Sequence, residues 1–195
     1  SYREEKIGSL NCLKTSTVKI YIFIIFCFSY LLSAVENQSK QPFSVVAYNL
    51  ENLFDIDGYS LYEDYKPAFY GELELKNKLD AIVKVLRKIG GRSGPDILLL
   101  QEVEVDRTPN QQKSATDLLM QCLAREGLGP YNFSIGYNPE DNPENWPAVQ
   151  CLTLSKFPII KSRLLSLQKA RPILETTLSI DGERFTIFNN HWKSG

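Results

Sequence analysis

Two rhythms of apolar residues run through this chain, and the switch between them predicts its elements. "PFSVVAYNL" (42–50) is a short apolar run rich in β-formers and predicts a strand. "ENLFDIDGYSLYEDYKPAFYGE" (51–72) has many aromatics and no period. A loop of that length is functional or carries structure of its own. Apolar positions then fall at Leu75, Leu79, Ile82, Val83 and Leu86, one face of an amphipathic helix, ended by Gly90-Gly91. "PDILLLQEVE" (95–104) is a continuous apolar run, which predicts a buried strand. "SATDLLMQCLAREGLGP" (114–130) reads as a second helix, with Ser114 or Thr116 near its start and Gly127 near its end. Strands are predicted over 131–137 and 148–155, with a turn-rich loop at 138–147 and a turn at "KFPI" (156–159). "RPILETTLSI" and "RFTIFNN" flank Asp181-Gly182, a strong hairpin signal.

Strand, helix, strand at 42–104 is a βαβ unit, so its two strands are parallel if they neighbour each other in one sheet. Ligands of such sheets bind beyond the carboxyl ends of the strands. The polar residues there are Asn49 with Glu51 and Gln101 with Glu102. The late hairpin delivers Asn189, Asn190 and His191 to another strand end. The order of elements is mixed α/β, parallel early and antiparallel later.

Composition narrows the chemistry. The formal net charge is −1, so no basic surface announces nucleic acid. The single histidine and four cysteines form no zinc-type cluster. The P-loop, nucleophile-elbow and dinucleotide glycine motifs are absent from the sequence. Cys122 lies on an apolar helical face and Cys151 in an apolar strand, so two buried free thiols are expected rather than a disulfide. Glu102 and Asn49 at strand ends supply the oxygen ligands that suit Mg²⁺. His191 beside them fits hydrolysis of a phosphate ester, where a metal neutralises charge and a histidine moves a proton.

Near the start, Val18 to Ala34 holds no acidic residue and is apolar after Lys19, with Lys14 upstream and polar residues following. That order predicts a signal peptide within residues 1–34, cleaved after Ala34, and a secreted or periplasmic product. A retained membrane anchor is the alternative. The chain starts at Ser1 and its sole methionine is Met120, so residues before the leader read as an upstream extension. Residues 35–195 read as one domain or part of one.

Three blocks, "VVAYNLENLFD", "DILLLQEVE" and "FTIFNNHWKS", together resemble the endonuclease/exonuclease/phosphatase superfamily, the deoxyribonuclease I-like fold, from about Phe43 onward. The resemblance implies a four-layer α/β sandwich of two packed mixed sheets with helices outside. It implies Mg²⁺- or Mn²⁺-dependent hydrolysis of phosphoester bonds, by a nuclease or another phosphodiesterase. Glu102 then matches the metal-binding glutamate, and Asn49 the asparagine beside metal and phosphate. Glu51 matches an acidic position that holds the metal through water. Arg171 resembles a phosphate-contacting arginine. His191 matches the residue that bonds the phosphate or leaving oxygen.

Two expected blocks, Gly-Asp-x-Asn and Ser-Asp-His, do not occur in the sequence. The chain is therefore expected to be the N-terminal part of an incomplete domain, inactive and poorly folded alone. Its expected substrate is DNA or another phosphodiester, with lipid and small phosphoesters open. No protein partner is evident, and a monomer is expected. A secreted binding module of the same fold without catalysis is the competing expectation.

Overall fold

The computed structural model describes residues 41–108, 113–168 and 170–192. The predicted leader lies outside the described residues. No described helix is long and apolar enough to cross a membrane.

β1 (Val45–Leu53) and β2 (Ile97–Glu104) pair in parallel, as the βαβ reading requires. The helix between them, α1 (Glu72–Gly90), begins one turn before its first apolar position, where the Glu74 carboxylate accepts from the Gly71 N–H. It ends where Gly91 takes φ 65°, a conformation that suits glycine. α2 (Ala115–Arg125) starts at a capping box, in which Ser114 Oγ accepts from the Asp117 N–H and the Asp117 carboxylate accepts from Ser114. β3 (Asn132–Ile135) and β4 (Val149–Ser155) complete a mixed sheet of order β1-β2-β4-β3.

The second sheet holds β5 (Ile159–Leu165), β6 (Ile173–Ile180) and β7 (Glu183–Asn189), all antiparallel. Asp181 and Gly182 both take positive φ, as a two-residue I′ hairpin turn demands. The sequence pattern predicts only a turn where β5 begins. Most of β5 is exposed, so it lacks the apolar alternation that marks a half-buried strand. Its antiparallel ladder with β6 holds it in the sheet, and a bidentate Arg163–Glu175 pair at 2.8 Å crosses the same two strands.

The core lies in two parts. Leu50, Leu53, Leu98, Leu100, Val103, Leu152 and Leu154 pack under the helices against Leu79, Ile82, Leu86, Leu119 and Leu123. Each such buried leucine contributes about 2 kcal/mol. Between the sheets, Ile97, Leu178 and Ile180 pack with Phe43, Leu99, Phe157 and Phe185. Helices, mixed sheet and antiparallel sheet form three layers of the α/β sandwich. Among the described residues no helix covers the outer face of the second sheet. Cys122 and Cys151 are buried free thiols.

The aromatic segment after β1 does carry structure of its own. Phe54, 1% exposed, stacks on Tyr65 at 4.2 Å, and Tyr65 meets Tyr70 at 5.0 Å.

Candidate metal and phosphate site

Regular alternation would place Glu102 on the same face as Leu98 and Leu100, under the helices. The structure breaks the alternation twice. The β1–β2 register shifts between Asn49 and Leu53, and the β2–β4 register between Leu100 and Val103. Glu51, Asn52 and Glu102 take positive φ of 51°, 64° and 63° at these bulges. Such φ values are uncommon for residues other than glycine and cost energy, so neighbours must hold them.

Glu102 consequently leaves the helix side. Its Oε1 accepts from Asn49 Nδ2 at 3.1 Å and lies 3.1 Å from His191 Nε2. Its Oε2 accepts from the Asn52 N–H at 3.1 Å. Arg171 Nη1 lies 3.0 Å from His191 Nε2 and also contacts Nδ1. The tautomer that suits these partners carries its proton on Nε2, toward Glu102, and accepts from Arg171 at Nδ1. Burial and the Arg171 charge lower the His191 pKa, against the opposing pull of Glu102, so the ring is neutral at pH 7.

Four of the five predicted site residues, Asn49, Glu102, Arg171 and His191, thus meet at the ends of β1, β2 and the β6–β7 hairpin. Glu51 shares their turn: its N–H donates to Asn49 Oδ1 at 2.9 Å, and its charge raises the pKa of Tyr48 and Tyr65 after burial has done so. Gln101 does not join them. It turns between the sheets, where its Nε2 donates to Asn189 Oδ1 at 2.7 Å. Asn189, 1% exposed, donates in turn to the carbonyls of Leu100 and Leu152, so this amide pair ties sheet to sheet. Gln150, on β4, bonds elsewhere. Its side chain bonds the Gly136 N–H and the Glu104 carbonyl. Trp192 is exposed.

A second acidic group lies outside the residues that the sequence pattern singles out. Carboxylate oxygens of Asp55, Asp57 and Asp106 lie within 4.8 Å of one another and can hold a metal ion. Glu104, 6% exposed, accepts from the Asp55 N–H at 2.9 Å. Burial first, then the neighbouring carboxylates, push Glu104 up to about 9 and Asp55 up to about 7, against the backbone hydrogen bonds each carboxylate accepts. The available signal was acidic residues recurring just past both parallel strands, in "NLFDID" and "QEVEVD".

The donor sets at both places are oxygen, which suits a hard divalent cation such as Mg²⁺ or Mn²⁺. At the first, Asn49 and the Asn52 N–H already orient the Glu102 carboxylate, so the residues fit an ion there.

The Arg171–His191 contact makes its own prediction. Arg171→Ala should raise the pKa of His191, because it removes a charge that opposes protonation. The chain has one histidine, so its imidazole resonance can be followed by NMR titration without ambiguity. A midpoint that stays put or falls would refute the contact.

The sequence matches no protein-family model and no curated protein. Among solved structures, the chain is similar to an endonuclease/exonuclease/phosphatase family protein from Leptotrichia buccalis C-1013-b, with a TM-score of 0.50 and 12% identity. The match covers 76% of this chain and 53% of that one, so the chain spans about half the length of the protein it resembles. The likeness shows the fold: this is the α/β sandwich architecture of that protein.

Proposed function

We propose that this chain is part of an exported, Mg²⁺- or Mn²⁺-dependent hydrolase of phosphoester bonds, a nuclease or another phosphodiesterase that acts as a monomer. The convergence of Glu102, Asn49, His191 and Arg171 on one strand-end site carries this reading. The shared fold supports it.

Glu102, with Asn49 and Glu51 beside it, would hold the cation, which when bound neutralises charge on the phosphate. Arg171 presents guanidinium donors that suit phosphate oxygens. Neutral His191 offers an N–H to a phosphate or leaving oxygen once that oxygen replaces its contact with Glu102. The general base, and further groups on the phosphate, would come from residues outside this sequence. The segments 51–73 and 138–147 flank the strand ends and would choose among DNA, RNA, lipid and small phosphoesters.

The test has two parts. Mn²⁺ titration of the full encoded protein, followed by electron paramagnetic resonance, should show saturable binding that Mg²⁺ displaces. Sequencing the source nucleic acid beyond the given codons should reveal Gly-Asp-x-Asn and Ser-Asp-His in frame. The encoded product should hydrolyse bis(p-nitrophenyl) phosphate only until EDTA is added. Hydrolysis indifferent to EDTA, or metal binding without any hydrolysis by that product, would overturn the proposal; the second result is what a binding module would give.

A further inference from the structure

We infer that Lys78, on α1, is a positioning residue for Glu102, acting through the left-handed turn at Glu51 and Asn52. The inference rests on Glu102 being the metal-holding carboxylate.

Lys78 lies three residues after Leu75 and four before Ile82, so it falls on the stripe of α1 that faces the sheet. A lysine there interrupts an otherwise apolar face. Leu75, Leu79 and Ile82 are buried and fix the helix against β1 and β2, so the lysine is offered from a rigid base. Its Nζ donates to the Glu51 carbonyl at 2.9 Å.

The Glu51 carbonyl belongs to the peptide bond that precedes the Asn52 nitrogen. That same Asn52 N–H donates to Glu102 Oε2. Lys78 therefore grips one end of the peptide unit whose other end orients the carboxylate. The grip is needed, because Glu51 and Asn52 are successive residues at positive φ, and for Glu51, unlike asparagine, that conformation costs about 1–2 kcal/mol. The other tie on the turn is Asn49 Oδ1, which accepts from the Glu51 N–H. Without Lys78 the peptide is free to rotate, and the N–H leaves Glu102. A lone exposed lysine-to-carbonyl bond adds little to global stability, so its effect should be local.

The test compares the full encoded protein with its Lys78→Met and Lys78→Arg variants. Lys78→Met keeps length and apolar stem but loses the donor; Lys78→Arg keeps a donor. Two quantities are read: Mn²⁺ affinity by paramagnetic resonance, and hydrogen exchange of the Asn52 amide by NMR in EDTA. Lys78→Met should weaken Mn²⁺ binding about 10-fold, in the range seen when groups supporting a metal ligand are removed. It should speed Asn52 exchange while core amides such as those of Leu98 and Leu152 keep their rates. Lys78→Arg should recover both. Unchanged Asn52 exchange in Lys78→Met overturns the inference. So does a uniform rise in exchange across the core that Lys78→Arg fails to reverse, since that marks a merely structural role. If the parent chain binds no Mn²⁺ at all, the functional proposal falls, and the Asn52 amide alone still decides the role of Lys78.

Discussion

Glu102→Gln is expected to weaken Mn²⁺ binding at the β1–β2–β7 site by about 100-fold or more, beyond the loss from altering a supporting group. Three donors already converge on this carboxylate: Asn49 Nδ2, the Asn52 N–H and His191 Nε2. Glutamine is isosteric and keeps the packing, but it removes the charge. It also turns an NH₂ toward donors that need an acceptor, so one of the three must be left unpaired. A product carrying the full set of catalytic blocks should lose phosphodiester hydrolysis in parallel, by about 10²–10³-fold. The Asp55–Asp57–Asp106 group supplies the control. Asp57→Asn should leave the Glu102-dependent binding in place. If Glu102→Gln binds Mn²⁺ as the parent does and Asp57→Asn does not, the ion resides with the aspartates and the site assignment fails.

Metal-free protein should lose stability as pH rises from about 5 to about 9. The folded chain keeps a proton on Glu104 up to about 9, where the ordinary value is 4.5. The unfolded chain releases that proton near 4.5. Between these values the folded state binds more protons, so stability is complete below the lower pKa and is lost as pH rises through the window. Asp55, pushed up to about 7 from 3.8, adds loss in the lower part of the same window. His191 works in the opposite sense around pH 6.5, because its pKa is lowered, but it is one group against two. Asp96 has a lowered pKa and contributes stability already present above pH 4. The Asp55 charge is itself one cause of the raised Glu104 pKa, so the two contributions are not additive, and the net direction by pH 9 is a loss of stability.

Urea denaturation in EDTA at pH 5, 7 and 9 measures this. Glu104→Gln should flatten the profile and make the variant the more stable protein at pH 9, since a neutral amide can still accept from the Asp55 N–H. Mg²⁺ or Ca²⁺ should restore stability to the parent at high pH by occupying the aspartate group. A parent that is more stable at pH 9 than at pH 5 without metal would show that Glu104 and Asp55 are not buried together as described.

Most elements were legible because each rests on local chemistry. The five apolar positions of α1, the Ser114 start of α2 and the Asp181-Gly182 turn all sit where the pattern places them. β5 escaped because most of it is exposed and so shows no apolar period; its backbone ladder with β6 holds it, and such pairing leaves no mark in the hydrophobic pattern. Gln101 and Asn189 looked like site residues because they stand beside Glu102 and His191 in sequence. They face inward because regular alternation continues through them and places their amides between the sheets.

The sequence by itself determined the alternation of strands and helices, the parallel start, the hairpin, and the identity of Asn49, Glu102, Arg171 and His191 as residues worth watching. Only the tertiary structure decided which way Glu102 points. Alternation alone sends it under the helices, and bulges in two neighbouring strands turn it back toward Asn49 and His191. Those bulges require positive φ at Glu51, Asn52 and Glu102, which the two glutamates do not favour by themselves. A tie from Lys78, remote in sequence, holds the Glu51–Asn52 turn, while Asn49 and His191 hold the carboxylate. The clustering of Asp55, Asp57 and Asp106, and the proton kept by Glu104 nearby, have the same origin: chain segments some fifty residues apart meet only when β1 and β2 lie side by side.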